Sequence, residues 1–121
     1  MSSKKSSFFK LSASLYSDPS IDINDMTVQD IMNYLSWDIE YSYAQKVVAF
    51  VRQLKDGCYF SLPEGTQKSI SWMDEHNLSG KPTKDISSTL GVSNYHVRLA
   101  KTFLEMEDRG YFDNENAYDL V

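Results

Sequence analysis

The sequence predicts a mainly α-helical protein that ends in a short β-hairpin. Three observations support the helices: apolar side chains recur every three or four residues, small polar residues stand where helices begin, and glycines stand where they end. The chain has 121 residues, of which 41% are hydrophobic and 13% aromatic. A chain of this size and composition can bury a sizeable core.

Two helices are predicted in the N-terminal half. Thr27 and Asp30 have a spacing close to that of a capping box, in which each side chain bonds the backbone N–H of the other residue. The second helix is predicted from about residue 39 to residue 55 and carries a wide apolar face for burial. Its apolar residues are Ile39, Tyr43, Ala44, Val47, Phe50, Val51 and Leu54.

A short extended segment and a third helix are predicted to follow. Residues 58–62 are rich in aromatic side chains and are stopped by Pro63, a pattern that favours a strand. Thr66 is placed to cap the next helix, which is predicted to continue to about Asn77.

Two helices joined by a tight turn form the most informative pattern in the chain. Thr83 is predicted to cap the first, whose apolar face includes Ile86. Gly91 stands where a chain that leaves a helix adopts a left-handed conformation. Ser93 offers a hydroxyl to cap the second helix, predicted over residues 93–109. Helices joined by so short a turn cross steeply, which lets the second enter a DNA major groove.

This stretch resembles the winged helix-turn-helix superfamily of bacterial regulators, in particular GntR- and MarR-like DNA-binding domains. The resemblance is carried by Leu-Gly-Val-Ser at residues 90–93 and by Val97 after it. It covers roughly the C-terminal half of the chain. It implies a domain of about three helices with a hairpin wing, and double-stranded DNA as the partner.

The polar side of the predicted recognition helix supplies the candidate contacts. Arginine binds a guanine edge and asparagine an adenine edge, whereas lysine more simply meets a phosphate. The alternative is that these are ordinary solvent-facing residues of an amphipathic helix. His96 points towards the apolar side, which favours a packing role for it. The candidate DNA-binding residues are Lys81, Lys84, Ser93, Asn94, Tyr95, Arg98, Lys101 and Thr102.

The predicted hairpin would form the wing. Tyr111 and Phe112 precede a polar turn, and a second short apolar run occupies residues 117–121. Asp113 and Glu115 place negative charge at the tip, which phosphate would repel. A packing or partner role is therefore an alternative to groove binding for this segment.

The charge distribution favours a dimer. The formal net charge is -5, but residues 78–103 carry four basic side chains against a single acidic one. Such a basic island in an acidic protein anchors few phosphates, so a single copy should bind DNA weakly and in a strongly salt-dependent way. A homodimer would present two islands together and raise their effective concentration.

The predicted organisation has three parts. Residues 1–24 form a partly flexible arm, residues 25–63 a helical extension packed on the core, and residues 64–121 the winged helix-turn-helix domain. The extension has more aromatic side chains than a thin layer buries, and these serve either the core or a homodimer contact. They are Tyr34, Trp37, Tyr41 and Tyr43.

Several function classes lack support in the sequence. The single Cys58 forms no internal disulfide, which fits a reducing cytoplasm. The chain shows no metal-ligand spacing, cofactor motif, catalytic motif or membrane-spanning stretch. Two hypotheses remain: a small dimeric DNA-binding regulator or replication/partition accessory, and an acidic module on the same scaffold that binds another protein and not DNA.

Overall fold

The computed structural model describes residues 7–76 and 81–112, and all the regular structure within them is helical. The chain divides into two compact units between Asp56 and Gly57. The elements are α1 (Phe8–Ser17), α2 (Val28–Leu35), α3 (Tyr41–Gly57), a 3₁₀ helix (Cys58–Ser61), α4 (Glu64–His76), α5 (Thr83–Leu90) and α6 (Asn94–Asp108). None of these helices is both long and apolar enough to cross a bilayer.

The first unit contains α1, α2 and α3, and its core lies around the apolar face predicted for α3. Val47, Val48, Phe50 and Val51 are fully buried there. The ring of Phe8 in α1 lies 5.7 Å from the ring of Phe50. The segment predicted as an arm therefore includes a helix with a buried face.

Local capping determines how α2 begins. The hydroxyl of Thr27 accepts a hydrogen bond from the Asp30 backbone N–H at 3.0 Å, and the Asp30 carboxylate accepts one from the Thr27 N–H at 3.2 Å. The predicted capping box is confirmed. Arg52 of α3 donates to the carbonyls of Ile23 and Met26, and so fixes the chain that leads into α2.

The second unit contains the 3₁₀ helix and α4 to α6. Its buried side chains come mainly from α4 and α6, which pack along each other, with Ile86 contributed by α5. Met73 of α4 and Phe103 and Met106 of α6 are fully buried. The first helix of the predicted helix-turn-helix is held against this pair through α6.

The prediction of a β-hairpin at the C-terminus is wrong, because the described residues contain no strand. Gly110 takes a φ of 87°, and the N–H of Tyr111 bonds the Met106 carbonyl at 3.0 Å. This Schellman-type ending turns the chain back, and Phe112 stacks on Phe103 with ring centroids 5.0 Å apart. The remainder of the predicted hairpin, residues 113–121, lies outside the described residues.

The prediction of an extended segment at residues 58–62 is also wrong. Cys58 has a φ of 53°, and residues 58–61 form a 3₁₀ turn. The Tyr59 hydroxyl lies 2.7 Å from Ser71 Oγ, so this aromatic side chain packs on α4. Aromatic content alone does not separate a strand from a packed turn.

Candidate nucleic-acid interface

The turn between α5 and α6 is built around Gly91, as the sequence predicts. Gly91 has a φ of 70° and lies at the C-terminal cap of α5. The N–H groups of Gly91 and Val92 bond the Ser87 carbonyl at 2.9 and 3.2 Å. The Ser87 hydroxyl donates to the Val92 carbonyl at 2.6 Å. These three bonds satisfy backbone groups at the turn and fix where α6 starts.

Ser93 caps α6, which confirms the predicted start of that helix. Its hydroxyl accepts from the His96 N–H at 3.2 Å, and the same oxygen lies 3.2 Å from His96 Nδ1. Ser93 is also one of the candidate DNA contacts. It is exposed, but its hydroxyl already accepts the capping hydrogen bond.

Thr83 does not cap α5, contrary to the prediction. The cap residue is Pro82, whose carbonyl accepts from the backbone N–H groups of Asp85 and Ile86. Thr83 is the first helical residue, and no side chain caps the start of α5. Helix α4 repeats the pattern: it begins at Glu64 after Pro63, so Thr66 falls inside the helix with its hydroxyl buried.

The exposed strip at the start of α6 contains Asn94 and Arg98. They lie four residues apart, and therefore on one side of the helix. Tyr95 is half-buried beside them; burial raises the pKa of its hydroxyl, and the charge of Arg98 partly opposes that shift. Asn94 and Arg98 are thus the candidate residues whose side chains are presented to solvent on this helix.

Thr102 does not belong to this strip, and its inclusion among the candidate contacts is wrong. It is 5% exposed, and its hydroxyl donates to the Arg98 carbonyl at 3.0 Å. The helical wheel placed it on the polar side because threonine is a polar residue type. Thr102 is three residues after Leu99 and four residues before Met106, and it lies with these two buried side chains on one side of α6.

Lys101 has a structural partner. Its ammonium group donates a hydrogen bond to the Lys81 carbonyl, twenty residues earlier, and partial burial lowers its pKa. The bond ties the loop before α5 to the middle of α6. Lys81 and Lys84 themselves are exposed and remain candidates for phosphate contact.

His96 faces α4 at a point of close approach. A Cβ placed on Gly65 would lie 2.7 Å from His96 Nδ1, so any larger residue at this position would displace the imidazole. The packing role favoured for His96 agrees with this position. His76, at the end of α4, lies with Nδ1 2.9 Å from the Trp72 carbonyl, as expected for a histidine in a last turn.

Lys68 is a residue that the sequence did not single out. Its ammonium group on α4 donates to the Leu90 carbonyl at 3.3 Å and so caps the C-terminus of α5. A favourable position for a cation at a helix end can be read from sequence when the cation is local. Here the two residues are 22 positions apart, and only the packing of α4 reveals the contact.

The second half of α6 carries negative charge. Glu105 and Asp108 are exposed, and Glu105 forms an ion pair with Arg109 at 3.1 Å. A cavity of about 690 Å³ beside this end is lined by Met73, Asp74, Lys101, Leu104, Glu105, Glu107 and Asp108. The negative charge at this end of the helix would repel a phosphate group.

Replacing Gly91 with alanine is expected to lower the free energy of unfolding by about 1 kcal/mol. The cost arises from the backbone, because an L-residue is disfavoured in the left-handed region; an added Cβ would meet no atom within 4 Å. Gly91→Asn is the matched control and should cost less, since asparagine tolerates this conformation. Urea titration measures both, and an equal loss for the two variants would contradict the explanation.

Comparison with known proteins gives no match to a protein family model, a curated protein or a solved structure. The resemblance of residues 90–97 to winged helix-turn-helix proteins therefore stays a prediction from the sequence. Among the described residues, no group of three or more His, Cys, Asp or Glu side chains is arranged to hold a metal ion.

Proposed function

We propose that this chain is a sequence-specific binding protein for double-stranded DNA, acting as a small transcriptional regulator or a replication/partition accessory. The observation that supports it best is the turn at Gly91. Helix α5 ends in a left-handed residue, two residues later Ser93 caps α6, and the exposed strip of α6 begins at once. This is the arrangement in which the second helix of a helix-turn-helix presents its N-terminal residues to base edges.

Each exposed residue has a distinct role in the proposal. Arg98 binds a guanine through two hydrogen bonds, and Asn94 binds an adenine in the same manner. Lys81 and Lys84 meet phosphates and determine the register of α6 in the groove. Tyr95 lies close enough to Arg98 for the guanidinium charge to act on its hydroxyl, whose pKa burial raises. Lys101 acts indirectly, because its bond to the Lys81 carbonyl holds the phosphate-binding loop near α6.

In this proposal the chain binds DNA as a homodimer. The strip formed by Asn94 and Arg98 spans little more than one helical turn, and the exposed carboxylates of Glu105 and Asp108 lie further along the same helix. One such strip contacts only a few base pairs, whereas two copies on a palindromic site combine their contacts. A cytoplasmic location is part of the proposal, and the lone Cys58 is consistent with it.

The second candidate is an adaptor or inhibitor that binds a basic protein surface. The observation that favours it is a cluster of exposed carboxylates around one cavity. They belong to Asp74 of α4 and to Glu105 and Asp108 of α6. In this case the first turns of α6 would contact no base, and the acidic end would make the interface.

Selection from a pool of random duplexes, at low and at moderate salt, tests the first candidate against the second. The full chain is expected to enrich one short motif, and affinity should fall steeply as salt rises. Enrichment of an inverted repeat would indicate two bound copies. If no sequence is enriched even at low salt, the DNA-binding proposal is overturned and the protein-binding candidate takes its place.

A further inference from the structure

A groove in the first unit lies outside the proposed DNA-contacting surface. It has a volume of about 440 Å³ and is bounded by α1 and by the connection from α2 to α3. No residue of α4, α5 or α6 lines it. The lining residues are Lys10, Leu11, Ser14, Leu35, Ser36, Trp37, Asp38 and Ile39.

The connection that forms one wall has a fixed conformation. Ser36 takes a φ of 57°, and the Trp37 N–H bonds the Met32 carbonyl at 2.9 Å. This is the same type of helix ending as that at Gly110, but without a glycine. It turns the chain so that Trp37 and Ile39 stay partly exposed at the groove rather than fully buried in the core.

The groove has apolar side chains at its base and one charge of each sign on its lining. Leu11 is buried, while Leu35, Trp37 and Ile39 are partly exposed. Lys10 and Asp38 are both exposed, and within residues 7–76 and 81–112 neither of them forms an ion pair. The opposite charges therefore lie on one surface without neutralising each other.

We infer that this groove is the contact through which two copies of the chain form a dimer. In a two-fold interface the same patch is used twice, so a residue that contacts another across the axis is contacted by it in return. A patch that carries both Lys10 and Asp38 is complementary to itself in charge: Lys10 of each copy meets Asp38 of the other. A partner of one sign would leave one of the two side chains unpaired.

Two exposed tyrosines that adjoin groove-lining residues in the chain would enlarge this contact. A stable interface buries roughly 800 Å² on each partner, and one groove supplies only part of that area. Tyr34 directly precedes Leu35 in the chain, and Tyr41 is two residues after Ile39; they are 53% and 49% exposed. Tyrosines are among the residues that interfaces favour, because they combine a large apolar ring with a hydroxyl.

The role of this dimer rests on the proposed function, whereas the groove is defined by the first unit alone. A dimer formed through this groove uses no residue of α6, and it brings a second copy of α6 into the same assembly. The residues that line the groove have no role in the proposed DNA binding.

Charge exchange in the full chain tests the inference. Lys10→Glu alone places two carboxylates opposite each other at both ends of the interface, and Asp38→Lys alone places two ammonium groups there. Each is expected to weaken the dimer about tenfold or more, since two pairs change per dimer. The double variant Lys10→Glu, Asp38→Lys restores opposite charges and should recover the wild-type dissociation constant. Asp25→Lys is the matched control for Asp38→Lys. It makes the same charge change at an exposed site outside the groove.

Sedimentation equilibrium without DNA, from about 1 to 100 µM, gives the dissociation constants. Dimeric wild type, two weakened single variants, a recovered double variant and an unaffected control support the inference. Monomeric wild type at the highest concentration, unaffected single variants, or a double variant that is not recovered would each overturn it.

The two proposals fail in different ways. If the chain stays monomeric but selects a DNA motif, the groove inference is overturned and DNA binding stands. If the charge exchange succeeds but no motif is selected, the dimer stands and DNA binding is overturned. Circular dichroism of every variant confirms that the helices are retained.

Discussion

Replacing Phe103 with alanine is expected to lower the free energy of unfolding of the second unit by about 3–5 kcal/mol. Phe103 is fully buried on α6, and its ring lies 6.0 Å from Tyr59 and 5.0 Å from Phe112. Truncation removes the apolar contacts of the ring and leaves a cavity beside two other aromatic rings. It also releases Phe112, and with it the turn that ends α6.

Phe60→Ala is the matched control for this prediction. Phe60 lies in the 3₁₀ helix of the same unit but is 50% exposed. It contacts Tyr59 edge-to-face at 5.0 Å, so a loss of about 1 kcal/mol is expected for the same chemical change. Similar losses for the two variants would show that Phe103 is not central to the packing.

The two tryptophans allow the measurement to be restricted to one unit. Trp37 lies in the first unit and Trp72 in the second. In a Trp37→Phe background, urea titration followed by fluorescence reports on Trp72 alone, while circular dichroism reports on all helices. We expect Phe103→Ala to shift the fluorescence transition to lower urea by more than it shifts any transition of the first unit.

Replacing Arg98 with alanine is expected to weaken binding to a selected DNA site about 10- to 100-fold and to relax sequence preference at one base pair. The magnitude follows from the roughly 1–3 kcal/mol of discrimination that a two-bond contact to guanine provides. Arg98 is exposed in the second turn of α6, four residues after Asn94. Fluorescence anisotropy with the selected site and with single-base variants of it measures both effects.

Arg109→Ala is the control on the same helix side. Arg109 also is an exposed arginine, but it pairs with Glu105 and follows the acidic end of α6. Its removal should change DNA affinity little. Lys84→Ala provides a second comparison: it should weaken binding to all sequences alike and reduce the slope of log affinity against log salt by about 1. If Arg98→Ala behaves like Arg109→Ala, the assigned reading strip is wrong.

Local hydrogen bonds were predictable from the sequence where both partners are close in the chain. Thr27 with Asp30, Gly91 after α5 and Ser93 before α6 each involve residues no more than four positions apart. Spacing alone therefore identifies them. The two predicted threonine caps failed because a proline carbonyl opens each helix earlier: Pro82 is one residue before Thr83, and Pro63 is three residues before Thr66. A proline just before or at the first turn suits a helix start because its φ is already close to the helical value.

The candidate site was predictable only in part, for a related reason. Residue type placed Thr102 among polar neighbours, whereas packing buries it and directs its hydroxyl to the Arg98 carbonyl. Lys101 and Lys68 look like surface cations in the sequence, yet each donates to a carbonyl more than nineteen residues away. Such bonds depend on how α4, α5 and the loop before α5 meet α6, which periodicity does not describe.

The sequence by itself determined that this protein is mainly helical, where α2 and α6 begin, and that a left-handed glycine joins α5 to α6. These features depend on interactions within one helical turn, whose energies the local residues supply. The tertiary structure alone decided that Phe112 turns back onto Phe103 and that Lys101 is bonded to the loop of Lys81. It also placed Lys10 and Asp38 on one groove, where neither pairs with another charged side chain of residues 7–76 or 81–112. Those outcomes depend on contacts between residues far apart in the chain, where burial and the competition for carbonyl partners outweigh local preference.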